Sequence, residues 1–214
     1  MQGANMQANK NPAILFLTLT LMTLAATARK ADAGGIGPLA GANFANADVD
    51  GRNTRSITGW AIGARLETGI LPFLKVMVDP MFLQDGAEFD ADGTSGSGRG
   101  RFTNLEVPLL LTPHLGLGGL GLYAFMGPDL VFNTSSSGHV ASDNDLNSGV
   151  SKVGLSGQVG AGISLNIAPT LDLTADARYS HGFTDLLDGA KGDVHHWRSR
   201  DVRLTAGLLF HALP

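Results

Sequence analysis

The chain has 214 residues, of which 16% are charged and 43% are hydrophobic, and its formal net charge is −4. An acidic chain without a basic patch is not predicted to bind nucleic acid. The apolar content argues against a disordered Gly/Ser-rich chain, although the 29 glycines are nearly twice the usual proportion. Because the sequence contains no cysteine, hydrogen bonds and packing must hold the fold together without disulfides.

The first 33 residues are predicted to be a secretory signal peptide. Lys10 precedes an apolar stretch, Ala13–Ala26, and two small-x-small cleavage sites follow it, ending at Ala28 and Ala33. The apolar stretch has 14 residues, fewer than the roughly 20 that a transmembrane helix needs. We expect residues 1–33 to be removed during export to the periplasm, with cleavage after Ala33 or Ala28. Residues 34–214 would then form one domain.

Eight β-strands are predicted in the remaining chain. The clearest is Lys152–Ile167, in which polar and apolar residues alternate strictly over 16 residues. A tilted strand crosses a bilayer with roughly 9–11 residues, so this length favours a membrane-spanning strand over one from a soluble sandwich. In chain order, the predicted strands are residues 36–49, 57–69, 74–88, 100–113, 121–133, 152–167, 171–184 and 200–212.

The connectors between the predicted strands alternate in character. Polar connectors follow the odd-numbered strands, at residues 50–56, 90–98, 134–149 and 188–197. Short connectors marked by proline or glycine follow the second, fourth and sixth strands, at residues 71–73, 114–120 and 168–170. Short turns at one end and longer loops at the other are typical of outer-membrane barrels. The pattern predicts an all-β fold, an eight-stranded antiparallel up-and-down transmembrane β-barrel.

The residue types decide which face of the strands meets lipid. One face is uncharged, as a lipid-facing band requires, because an arginine or lysine at the bilayer midplane costs about 2–4 kcal/mol. This predicted outward face consists of Trp60, Ile62, Ala64, Leu66, Leu74, Val76, Val78, Phe82, Leu105, Val107, Leu109, Leu111, Leu171, Leu173, Ala175, Ala177, Tyr179, Val202, Leu204, Ala206, Leu208 and Phe210.

The opposite face is predicted to line a narrow lumen. Charges of both signs between small residues suit an interior in which side chains pair with one another, because an unpaired buried charge is costly. The predicted lumenal charge network consists of Arg65, Glu67, Lys75, Asp79, Glu106, Asp129, Asp172, Asp176, Arg178 and Arg203. The alternative is a soluble barrel of the lipocalin type, in which the charged face is outside and the apolar face inside.

Two further groups of residues bear on the barrel. Pro80 and Pro108 lack the N–H that a strand ladder needs, and a β-bulge is the expected accommodation for each. Aromatic side chains gather at the two membrane–water interfaces of outer-membrane barrels. The predicted interface aromatics are Trp60, Tyr179, Phe183, Trp197 and Phe210.

Three motifs follow one another along the chain: Leu105–Leu111, Tyr123–Pro128 and Ala177–Asp185. They resemble successive strands of the PorT-type outer-membrane β-barrel family, which is similar to the eight-stranded OmpA/OmpX class. Asp79–Leu83 and Gly41–Asn46 resemble its third and first strands, although Met81 stands where the family has an acidic residue. The resemblance covers nearly all of the mature chain. It implies a barrel in the cell outer membrane, in which prolines are usual at the positions of Pro80 and Pro108. It implies little about activity.

Signals for catalysis are weak. No phosphate-binding loop, zinc signature or nucleophile elbow occurs, so we predict no cofactor and no enzymatic activity. Ser180, His181 and Asp185 are the candidate residues for a lipid-modifying hydrolase, but adjacent strand residues face opposite sides of a sheet. A surface loop is favoured over a metal site formed by His139, His195 and His196.

The predicted function is an integral outer-membrane barrel with a structural, surface-interaction or narrow porin-like role. Eight strands leave an interior that side chains just fill, so a wide pore is not expected. The alternatives are a lipid-A-modifying outer-membrane enzyme and a soluble periplasmic binding barrel. The expected partners are outer-membrane lipids and, during biogenesis, the outer-membrane insertion machinery, and the expected state is a monomer.

Overall fold

A computed structural model describes residues 34–49, 54–89, 98–140, 153–184 and 197–211. The predicted signal peptide, residues 1–33, lies outside the described residues. In chain order the strands are β1 Gly35–Val49, β2 Thr54–Leu71, β3 Leu74–Val78, β4 Met81–Phe89, β5 Gly98–Leu117, β6 Leu120–Val140, β7 Val153–Ala168, β8 Leu171–Gly182 and β9 Trp197–His211.

The strands close into a ring. Apart from β3 and β4, strands that follow one another in the chain pair antiparallel, and β1 also pairs with β9 over a register that runs from Gly35–His211 to Val49–Trp197. β3 and β4 are two halves of one strand, because both lie between β2 and β5. The ring therefore has eight strands, and the predicted up-and-down barrel is confirmed. Among the described residues, no helix has the length and hydropathy to span a membrane.

The hairpin formed by β5 and β6 is longer than the sequence predicted. Residues 114–117, assigned to a connector, continue β5, and the turn contracts to Gly118 and Gly119. Gly118 has a φ of 69°, in the left-handed region that favours glycine. At the other end, residues 134–140 continue β6 and pair with the start of β5 at Gly98. Trp197, also assigned to a connector, begins β9.

The two prolines lie on adjacent strands at one interruption of the sheet, where Pro108 is opposite Asp79 and Pro80 is opposite Val107. Residues 79 and 80 separate β3 from β4, and the flanking pairs Val78–Leu109 and Met81–Glu106 keep the same register across the gap. Pro80 and Pro108 therefore cause no bulge between these strands, contrary to the prediction. The Pro80 carbonyl still accepts a hydrogen bond from the Ala64 N–H at 3.1 Å. The register shifts elsewhere, between Thr103 and Asn104 in the β5–β6 pairing and between Ser56 and Ala61 in the β2–β4 pairing.

The outer face of the barrel is apolar. The side chains predicted to face outward are exposed or half-buried, with the exception of Val78, which is 7% exposed. Leu66 of β2 and Leu109 of β5 are its register partners, so neighbouring outward side chains flank it on both strands. An apolar exterior of this extent is suited to lipid and excludes the soluble-barrel alternative.

The inner face combines charged residues with an apolar cluster that the sequence did not predict. Met77, Leu110, Tyr123 and Phe125 pack together in the interior. The rings of Tyr123 and Phe125 lie against glycines of β7. A Cβ added to Gly162 would be 2.5 Å from the Tyr123 ring, and a Cβ added to Gly160 would be 2.4 Å from the Phe125 ring. The glycines of β7 thus make room for aromatic side chains that project from β6.

Candidate functional site

The candidate site is the charged interior of the barrel. The structure turns all ten of the predicted lumenal charges inward, where their side chains are buried or half-buried. They do not form one network. The middle layer consists of Arg65, Asp79, Asp176 and Arg178. The connector-end layer lies towards the longer connectors and consists of Glu106, Asp129 and Arg203. The turn-end layer lies towards the short turns and consists of Glu67, Lys75 and Asp172.

The middle layer is a charge-balanced group of two arginines and two aspartates. Arg65 donates from Nε and Nη2 to Asp79 at 3.1 and 2.8 Å, and from Nη2 to Asp176 at 2.7 Å. Arg178 donates from Nη2 to Asp176 at 2.7 Å and to Asp79 at 3.0 Å. Each carboxylate therefore binds both guanidinium groups. These four side chains come from three strands or strand ends and cross the lumen.

Neutral side chains complete the middle layer. Thr205 donates to Asp176 at 2.8 Å, and the Tyr123 hydroxyl accepts a hydrogen bond from Arg65 Nη1 at 3.0 Å. The Arg178 guanidinium lies 5.0 Å from the centre of the Phe125 ring, within cation–π range. These contacts fix the side chains in place, although Arg178 Nη1 is buried without a hydrogen-bond partner among the described residues.

The connector-end layer has an excess of acidic groups. Arg203 donates from Nη2 to Glu106 at 2.9 Å, and Gln158 Nε2 donates to both Glu106 and Asp129, at 3.0 and 2.9 Å. The Asp201 carboxylate lies 4.0 Å from Arg203. Gln158 thus holds two neighbouring carboxyl groups together, a role that the sequence did not reveal.

The turn-end layer is partly open to solvent. Lys75 donates to Glu67 at 2.6 Å, with side-chain exposures of 20% and 10%. Asp172 accepts a hydrogen bond from Asn166 at 2.9 Å and lies 3.0 Å from His211 Nε2. These pairs are separate from the middle layer and close its turn-end side.

Little space remains between the layers. A cavity lined by Asp85, Glu106 and Asp201 has a volume of about 20 Å³, and one lined by Arg65 and Lys75 has about 10 Å³. A water molecule needs roughly 10–15 Å³, so each cavity is of the size of one water. Both cavities are far too small for a hydrated solute.

The arrangement of the candidate catalytic residues does not form a hydrolase site. Ser180 faces the lumen and is 4% exposed, whereas His181 is on the outward face of β8. Among the described residues, no group of three or more His, Cys, Asp or Glu side chains is arranged to hold a metal ion. Asp185, His195 and His196 lie outside the described residues.

Four of the predicted interface aromatics have outward side chains. Trp60, Tyr179 and Phe183 are exposed near the connector end, and Phe210 is exposed near the turn end. Their positions at the two edges of the apolar band are those of aromatic girdles. The backbone of Trp197 begins β9 in register with Val49.

Three lumenal residues are absent from the prediction, the aromatic Tyr123 and Phe125 and the charged Asp201. Tyr123 and Phe125 have the same strand parity as Asp129, and Asp201 has the same parity as Arg203. Parity alone would have placed them inside. The pairing of Gln158 with two acidic residues of β5 and β6 depends on register across strands, which one sequence does not contain.

The fold is similar to those of solved outer-membrane proteins. The outer membrane protein OprG from Pseudomonas aeruginosa aligns with a TM-score of 0.57 and 11% identity, over 86% of this chain and 98% of OprG. Neisserial surface protein A aligns with a TM-score of 0.49 and 17% identity, over 83% of this chain and 97% of that protein. At this identity the likeness to OprG shows the fold alone. No curated protein sequence matches the chain significantly.

The sequence family gives a more direct assignment. The profile of a family described as outer membrane protein beta-barrel domain matches residues 14–207, which is most of the chain. The match agrees with the ring of eight strands, the apolar exterior and the charged interior described above. The predicted location in the cell outer membrane is therefore confirmed, and the chain belongs to the outer membrane protein beta-barrel domain family.

Proposed function

We propose that the protein is a closed outer-membrane barrel with a structural or surface-interaction role, and that it is neither a wide pore nor an enzyme. The observation that carries the proposal is the middle layer, in which Arg65, Asp79, Asp176 and Arg178 bridge the lumen through hydrogen bonds of 2.7–3.1 Å. Opening a passage there would separate buried ion pairs, which costs several kcal/mol. The longer connectors at the other end would then carry the contacts with the surroundings.

Planar-bilayer recordings test the closed lumen. Folded protein should migrate differently on gels before and after heating, and the same preparation should give no steady conductance in the bilayer. The heat-dependent shift shows that the barrel is folded, so silence in the recording cannot be ascribed to unfolded protein. A steady channel on the nanosiemens scale would overturn the closed lumen and favour a porin-like role.

We also propose that the barrel does not catalyse a reaction. Ser180 and His181 face opposite sides of β8, which supports a non-enzymatic barrel over the lipid-A-modifying alternative. Mass spectrometry of lipid A from cells with and without the protein tests this point. Identical lipid A spectra are expected, and a mass change that depends on the protein would establish an enzyme.

The motifs around Pro108, Pro128 and His181 support placement in the PorT-type group of outer-membrane barrels. We also propose a monomer that the outer-membrane insertion machinery assembles, because β1 and β9 pair with each other and the ring offers no free strand edge to a second copy.

A further inference from the structure

One cluster on the outer surface is unlike the apolar band around it. His181 of β8 and Arg200 of β9 are register partners, and both lie on the outward face. From Val202 towards the turn end, the outward residues of β9 are apolar, and Val202 itself is 48% exposed. The two basic side chains thus stand at the connector-end edge of the apolar band, where lipid headgroups begin.

Aromatic rings hold His181 in position. Its ring stacks on Tyr179 at a centroid distance of 6.4 Å and meets the edge of Phe183 at 6.0 Å. Phe183 in turn lies over Gly157 of β7, where an added Cβ would be 2.7 Å from the ring. Among the described residues, His181 Nδ1 has no hydrogen-bond partner, so the ring is held by packing.

The cations next to His181 suit an anion. Arg200 is exposed, and its register partners are Asn46 on β1 and His181 on β8. Arg198 is also exposed and faces outward, but it lies one step further from the apolar band, so Arg200 is the arginine of β9 nearest to that band. A guanidinium has five N–H donors in a planar fork and binds phosphate bidentately, even where it has another partner in the protein.

We propose that Arg200 and His181 bind the anionic phosphate of an outer-leaflet lipid, whose acyl chains pack on the apolar band below, while Phe183 and Tyr179 flank the headgroup. The inference rests on the proposed function, because it requires a folded barrel with its short turns in the periplasm. A phosphate-bearing lipid fits better than a soluble anion, since the basic pair and the apolar band form one continuous surface.

Native mass spectrometry of reconstituted protein tests this site. Vesicles of phosphatidylcholine with a minor fraction of phosphatidic acid supply the probe, and the ratio of the two lipids retained on the protein is measured. Arg200→Gln should lower the retained phosphatidic acid by about tenfold relative to phosphatidylcholine, the effect of losing a charge-assisted hydrogen bond. His181→Phe, which keeps the aromatic stack, should lower it less.

Arg101→Gln is the matched control. Arg101 is on the outward face of β5, on another side of the barrel, and its substitution removes the same charge. The lipid ratio of Arg101→Gln should equal that of the wild type. Equal retention in the wild type and Arg200→Gln, or equal losses in Arg200→Gln and Arg101→Gln, would overturn the site.

The heat-dependent gel shift separates this outcome from failure of the proposed function. A wild-type barrel that shifts normally but shows no preference for phosphatidic acid refutes the lipid site alone, whereas loss of the shift in the wild type refutes the barrel. If Arg200→Gln does not fold, Arg200→Lys decides the question. It keeps the charge but loses the planar fork, so retention should fall, and unchanged retention would contradict a phosphate site at Arg200.

Discussion

Asp176 is the residue on which the middle layer depends most. It accepts hydrogen bonds from Arg65, Arg178 and Thr205, at distances of 2.7–2.8 Å for the shortest bond of each. In Asp176→Asn, the two guanidinium groups would share one remaining carboxylate. Breaking a buried ion pair in this way costs about 3–5 kcal/mol, so we expect the free energy of unfolding in lipid vesicles to fall by that amount. Urea titration followed by the gel shift measures it.

Asp172→Asn is the control at the residue scale. Asp172 is an inward aspartate of the same strand, β8, but its carboxylate is 18% exposed and pairs with His211 at the turn end. The expected loss of stability is about 0–1 kcal/mol, as for a solvent-screened pair. Similar losses in the two variants would mean that the middle layer is no more important to stability than the turn-end pairs.

At the element scale, β7 depends on glycines as much as on its alternation. Gly162 faces the lumen, and a Cβ there would lie 2.5 Å from the Tyr123 ring, whose hydroxyl contacts Arg65. Gly162→Ala should displace the ring and destabilise the barrel by about 1–3 kcal/mol, the usual cost of overpacking. Gly119→Ala, in the turn after β5, meets no atom within 4 Å and should change the free energy of unfolding little.

The elements also show what the sequence can and cannot predict. The strict alternation of Lys152–Ile167 predicted β7 almost to its ends, because a period of two directly encodes which residues face lipid. The pairing of residues 134–140 with the start of β5 was missed, since a Ser- and Gly-rich segment has no such period. The charged lumen followed from strand parity, whereas its division into three layers depends on register between strands.

At the scale of the whole molecule, barrel closure depends on the pairing of β1 with β9. Ala40 and Ala206 are register partners across this seam, and both are outward-facing alanines in a chain without cysteine. Ala40→Cys combined with Ala206→Cys should form a disulfide on oxidation, because paired strands place Cα atoms about 4.5–5.5 Å apart. The heated, unreduced protein should then migrate faster on gels than the reduced protein.

The matched control uses the strand beyond the seam. Ala175 of β8 pairs with Ala206, so it lies two strands away from Ala40, about 9–10 Å at the usual strand spacing. Ala40→Cys combined with Ala175→Cys is therefore too far apart for a disulfide. Cross-linking in the seam pair alone is expected of a closed ring. Cross-linking in neither pair of the folded protein, or equally in both, would show that β1 and β9 do not meet in this register and that the barrel is not sealed as described.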